Sequence, residues 1–285
     1  MGTRTDISLK GTLPFRLGTS SYIIPADILP NLAYLQDKID DAELLLFESD
    51  EFSNIPTPED VQKMADISAE HQLTYTVHLP LDTQLGSADE KNRQSSINKC
   101  CRVIDRMLPV NPFGWILHFH GDPGQPWEMP STDMDRWRNQ HARSLEALIS
   151  HVDDPRRICV ETLAYDFTYI ADIVQSAPVS VCMDAGHLLL TDKDVFSFWA
   201  QWHEKVRVFH LHGVTPEKKD HVDLTYLPNG FLDVFLDMIS ADDGLRVLTL
   251  EIFNEADFLT SIREIEKWRN SHGTHPSGYR RGAER

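Results

Sequence analysis

Short apolar, β-branched runs alternate along the chain with longer stretches whose apolar residues recur at helical spacing. The short runs FRLGTS, AELLLFE, TYTVHLP, GWILHFH, RICVET, VSVCMDA, VRVFHLHG and RVLTLEI make eight candidate strands. Between them TPEDVQKMADISAEH, Ala88 to Leu108, MDRWRNQHARSLEALISHV, DFTYIADIVQSA, KDVFSFWAQWHEK, FLDVFLDMISAD and EADFLTSIREIEKW predict helices. Thr57 is set to cap a helix with Pro58 at its first position and Asp60 at the capping-box position, ahead of the stripe Val61, Met64, Ala65 and Ile67. Asn254 or Asp257 likewise precedes Phe258, Ile262 and Ile265. Strand followed by helix, with no repeat, low-complexity tract or linker, closes most simply as one α/β domain, a (β/α)8 TIM barrel over about residues 15–268. An open doubly wound sheet is the alternative, and residues 270–285 read as a basic, frayed tail.

Buried strands tolerate histidine and carboxylate poorly unless these are paired or bind something. Here nearly every strand ends in one: Glu48, His78, His118 with His120, Glu161, Asp184 with His187, His210 with His212, and Glu251. In a barrel these ends converge on one mouth, where active sites of this architecture lie. The pairs His118/His120 and His210/His212 obey the period of two and share a face. Asp184 and His187, three apart, can enter one site as the strand turns out. Singly, each histidine reads as a hydrogen-bonded structural residue, and Glu161 or Glu251 as a partner for Arg157 or Arg246. Their agreement at the same end points instead to metal, because imidazole nitrogen and carboxylate oxygen suit zinc, manganese or iron, with about one to three divalent ions per chain. After the seventh strand, KKDHVDLTYLPNG adds Asp220, His221 and Asp223 as further ligands or a base, or else as a polar loop.

Composition narrows the partners. The net charge of −17 over 285 residues repels a phosphate backbone, so extended nucleic acid is a poor partner. No apolar run reaches membrane-spanning length or resembles a signal peptide, which predicts no membrane partner and a cytoplasmic location. Cys100, Cys101, Cys159 and Cys182 lack CxxC spacing and read as reduced.

Such a cluster permits two chemistries. Several ions can activate water and brace the oxygens of a phosphodiester. Alternatively, one or two ions can polarise a hydroxyketone while Glu161 and Glu251 act as acid and base for sugar isomerisation or epimerisation. A nonenzymatic small-molecule-binding protein with a purely structural cluster is the third possibility.

Aligned by strand ends, the chain from Phe15 to Trp268 resembles the xylose isomerase-like barrels, which include the family 2 apurinic endonucleases and many sugar isomerases and epimerases. The endonuclease branch carries a trinuclear zinc cluster. Its motifs imply metal ligands at His78 in TVHLP, His120 in HFHGD, Glu161 in VETLA, Asp184 and His187 in MDAGH, His210 in HLHG, His221, and Glu251 in TLEI. The branch has an aspartate two residues before the loop histidine where this chain has Lys219, and it lacks counterparts of His118 and His212. At closer range LGTSSYIIPADILPN, ELLLFES, YTVHLPLD, ILHFHGD and FHLHGV resemble the cobamide-remodelling phosphodiesterases, the CbiR group. That resemblance implies hydrolysis of the nucleotide loop of a corrinoid, giving cobinamide phosphate and an α-riboside. It implies Glu161 and Glu251 orienting ions or water, His118 and His212 as catalytic imidazoles, and a rim of Tyr22, Phe52, Trp127 and Tyr226 under the corrin ring.

Overall fold

The computed structural model describes residues 7–49, 52–121 and 133–272. Eight parallel strands, β1 (Arg16–Ser20), β2 (Asp41–Leu45), β3 (Thr74–His78), β4 (Trp115–Leu117), β5 (Ile158–Glu161), β6 (Ser180–Asp184), β7 (Val206–Leu211) and β8 (Val247–Leu250), pair in sequence order, and β8 pairs with β1 to close a barrel. Helices α1 (Ile28–Leu35), α2 (Pro58–His71), α3 (Glu90–Met107), α4 (Met134–Ile149), α5 (Ala171–Ser176), α6 (Ala185–Leu190), α7 (Val195–Trp202), α8 (Phe231–Ser240) and α9 (Glu255–His272) lie between and after them. This is the expected (β/α)8 TIM barrel. Among the described residues no helix is long and apolar enough to cross a membrane.

The capping signals act as read. Thr57 Oγ1 accepts from the Asp60 N–H at 3.2 Å, and Asn254 Oδ1 accepts from that of Asp257 at 2.9 Å. Helices α1 and α6 are not among those the periodicity predicts. Pro30 interrupts the propensity of α1, which packs through Ile28, Leu32 and Leu35, and α6 is too short to show a period. α9 runs to His272, so residues 270–272 are helical, and 273–285 lie outside the described residues.

Strand periodicity divides the core. Trp115, Leu117, Val160, Val181, Phe209 and Leu248 face the helices in one large cluster. Alternate residues Ile116, Cys159, Cys182, Val208 and Val247 meet Phe113 in a second cluster, inside the barrel. At the N-terminal end of that interior, burial raises Asp41 to about 6 although Thr74 and Thr76 hydroxyls donate to it at 2.5 and 2.7 Å. The folded state therefore binds this proton more tightly than the unfolded chain, and stability falls as pH rises from about 4 through 6, by about 3 kcal/mol. Asp41→Asn removes the dependence: its stability relative to wild type should rise by up to about that amount between pH 4 and 7 in urea unfolding. A pH-independent difference would refute the assignment.

Candidate metal centre

Toward the C-terminal mouth the same inward face changes from apolar to ionisable. Two residues beyond Ile116, Cys159, Cys182 and Val208 come His118, Glu161, Asp184 and His210, then His212; Val247 leads through Thr249 to Glu251. His78 joins from β3, and Glu43 from β2. Their potential ligand atoms fall into groups within 4.8 Å: His78, His118 and Glu161; Glu161, Asp184, His210 and Glu251; and His187, His212 and His221. Cys182 lies below, grouped with Glu161 and His210.

Glu161 links the first two groups. Its Oε2 lies 2.9 Å from His118 Nε2 and 3.7 Å from His78 Nε2, while Oε1 lies 3.5 Å from His210 Nδ1. Asp184 reaches the third: Oδ2 is 3.2 Å from His187 Nδ1 and Oδ1 is 3.5 Å from His212 Nε2. Glu251 Oε2 lies 3.3 Å from His210 Nδ1 and 3.4 Å from His221 Nε2.

The Asp-x-x-His spacing has a local cause. Asp184 is the N-cap of α6, and its Oδ1 accepts from the His187 N–H at 2.8 Å. One turn thus fixes both side chains on the mouth, and the intervening Gly186 leaves the space that the His212 ring fills, which a Cβ would overlap. Gly186→Ala should expel His212 from the third group. We expect a fall in turnover of about 10- to 100-fold, as for lost support of a metal ligand, with the circular dichroism of the fold retained. Unchanged turnover would show that the packing is incidental.

The electrostatics favour a cation. Glu43, Glu161, Asp184 and Glu251 are at most 6% exposed, and among the described residues their ion-pair partners are histidines, with no lysine or arginine. Burial pushes Glu161 and Glu251 up, but His118 and His210 at the first, and His210 and His221 at the second, hold both well below the carboxylate range. Burial lowers His118, and takes His120 to about 3, which leaves the His120 ring neutral. Burial would also lower His221, but Asp220 and Glu251 outweigh it and raise the ring to about 10. Glu161 Oε1, Asp184 Oδ2, His210 Nδ1, His212 Nε2 and Glu251 Oε2 are buried in this cluster without making a hydrogen bond. Converging, unsatisfied oxygen and nitrogen donors of this kind fit a divalent metal ion.

Several expected residues fall elsewhere. Glu48 does not reach the cluster: it lies past the end of β2, its backbone bridges Ser53, and its carboxylate pairs with Arg102 at 2.9 Å. Asp223 caps a short helix by accepting from the Thr225 N–H at 2.9 Å, and Asp220 stands behind His221, 3.1 Å from its Nδ1. His118 occupies the group with His78, whereas His120 sits behind it, its Nε2 2.9 Å from His118 Nδ1. Tyr22 is anchored by Asn54 at 2.7 Å, Phe52 and Tyr226 are exposed, and Trp127 lies outside the described residues. Glu43 was missed. A glutamate near the start of the run AELLLFE, an odd number of positions from Glu48 and hence on the opposite face of an extended chain, was the available signal.

The family described as the xylose isomerase-like TIM barrel matches residues 38–272. No curated protein matches the chain. Among solved structures it is similar to a D-tagatose 3-epimerase-like protein, with 14% identity over 90% of this chain and 98% of that one and a TM-score of 0.74. Endonuclease IV from Thermus thermophilus has 18% identity over 90% of this chain and 99% of that one, with a TM-score of 0.66. The IOLI protein with a binding zinc atom has 12% identity over 92% and 100%, with a TM-score of 0.68. At these identities the likeness is one of fold.

Proposed function

The chain belongs to the xylose isomerase-like TIM-barrel family, and from that premise we propose that it is a metal-dependent phosphodiesterase cleaving the nucleotide loop of cobamides to cobinamide phosphate and an α-riboside. The observation that carries the hydrolytic reading is the run of three ligand groups joined through Glu161 and Asp184, which offers more imidazoles than one ion uses. His78, His118 and Glu161 would hold one ion, Glu161, Asp184, His210 and Glu251 a second, and His187, His212 and His221 a third, with zinc favoured by the imidazole content. Bound there, such ions supply an activated water and brace the phosphoester oxygens. The carboxylates of Glu161 and Glu251 stay ionised, so each can serve neighbouring groups at once. His118 and His212, expected as catalytic imidazoles, act here as ligands. The small-molecule corrinoid rests on the phrases from LGTSSYIIPADILPN to FHLHGV, and the exposed rings of Phe52 and Tyr226 suit a broad apolar ligand.

A second reading is sugar epimerisation. It is favoured by the group Glu161, Asp184, His210 and Glu251, a complete one-ion set carrying two glutamates for acid and base, and by the likeness to an epimerase-like protein. Incubation of the metal-replete protein with cobalamin, beside a panel of ketoses, separates the two. Cobinamide phosphate supports the phosphodiesterase; ketose conversion without cobalamin cleavage supports the epimerase and rejects our proposal.

A further inference from the structure

The mouth histidines are oriented in different ways. His78 Nδ1 faces the Leu79 carbonyl at 2.8 Å, His187 Nδ1 that of Thr162 at 3.1 Å, and His118 Nδ1 the neutral ring of His120 at 2.9 Å. His212 Nδ1 lies 3.1 Å from the Gly213 carbonyl and 3.1 Å from the His221 N–H. His210 is turned the other way round: its Nε2 meets Glu43 Oε2 at 2.8 Å, with both side chains 0% exposed, and Nδ1 faces Glu161, Asp184 and Glu251 at 3.5, 3.9 and 3.3 Å.

Glu43 takes up the Nε2 edge of the ring, so the Nδ1 edge is the one turned to the oxygen-rich group. Nδ1 is buried there and makes no hydrogen bond, which leaves it open to an ion. Glu43 has no other ion-pair partner among the described residues, and its Oε1 makes no hydrogen bond. His221 is also backed by a carboxylate, but Asp220 is 31% exposed and water weakens its influence. A buried carboxylate behind a ligating imidazole fixes the ring and raises the basicity of its free nitrogen.

We infer that Glu43 is a positioning residue that makes the Glu161, Asp184, His210 and Glu251 group the tightest divalent-cation site of the mouth, the last to yield its ion. This rests on the metal-centre reading above and adds a rank order to it. The test is a competition titration of zinc-loaded full-length protein with a chromophoric chelator, on wild type, Glu43→Gln and Glu43→Ala, beside the visible spectrum of the cobalt(II)-substituted proteins. Wild type should retain one equivalent after the others have left. In Glu43→Gln, which keeps the shape and an acceptor oxygen, that equivalent should bind about 10- to 100-fold more weakly, with a shifted cobalt band and the remaining equivalents unchanged. Glu43→Ala should weaken it at least as much. A last-held equivalent of wild-type affinity in folded Glu43→Gln overturns the inference while leaving the metal centre intact, as does uniform weakening of every equivalent. Wild type that binds no zinc overturns both.

Discussion

Glu161→Ala is expected to reduce turnover by about a hundredfold to several thousandfold and to remove more than one equivalent of metal. Glu161 is the carboxylate shared by two ligand groups, and four histidines, His78, His118, His187 and His210, lie within 4 Å of its oxygens. Removing one member of a buried, hydrogen-bonded charge cluster costs roughly 3–5 kcal/mol, and each 1.4 kcal/mol of lost transition-state stabilisation is tenfold in rate. The rings left behind would repel a cation that the wild-type oxygens attract. Steady-state kinetics with added metal, together with metal analysis of the same preparation, reads both effects. Activity within tenfold of wild type at unchanged metal content would mean that Glu161 only satisfies His118.

Chelation should have the second largest effect, on stability as well as on activity. With ions removed, the buried carboxylates have only the surrounding imidazoles to neutralise them, and they raise His78 and His187 against the opposing effect of burial. An ion held only by the folded state at a thousand times its Kd contributes about 4 kcal/mol, so complete removal should lower Tm on the order of 10 °C for a chain of this size. Reuptake should release protons, because His221, raised to about 10 by Asp220 and Glu251 against the effect of burial, must lose one to bind. The sign is fixed: affinity rises with pH through the neutral range and falls in acid. Calorimetry in buffers of different ionisation enthalpy checks the proton release, and thermal melts with and without chelator check the stability. A melt that does not move would argue that the imidazole–carboxylate network is complete without metal.

The barrel was legible because its strands are short apolar runs, nearly all broken at the C-terminal end by a histidine or carboxylate that apolar packing cannot explain. His78, Glu161, Asp184, His187, His210 and Glu251 stood out for that reason, and the structure brings them together with His221. What was not legible depends on where each strand stops. The run GWILHFH extends to His120 on paper, yet β4 ends at Leu117, and the chain then places His118 against Glu161 with His120 behind it. In AELLLFE the terminal glutamate drew attention, but Asn54 takes the Phe47 N–H at 2.6 Å just beyond β2, and Glu48 turns to α3 while Glu43 stays inside. The second role of Asp184, capping α6, is invisible without knowing that a helix begins at Ala185.

Elemental analysis of protein purified without chelator is the decisive test of a polynuclear metal centre at this mouth. Two or three equivalents of zinc, manganese or iron per chain are expected, in line with the roughly three-ion capacity of the joined ligand groups. A single equivalent that reconstitution cannot increase would contradict that and leave the one-ion epimerase reading; none at all would reduce the cluster to a buried polar network.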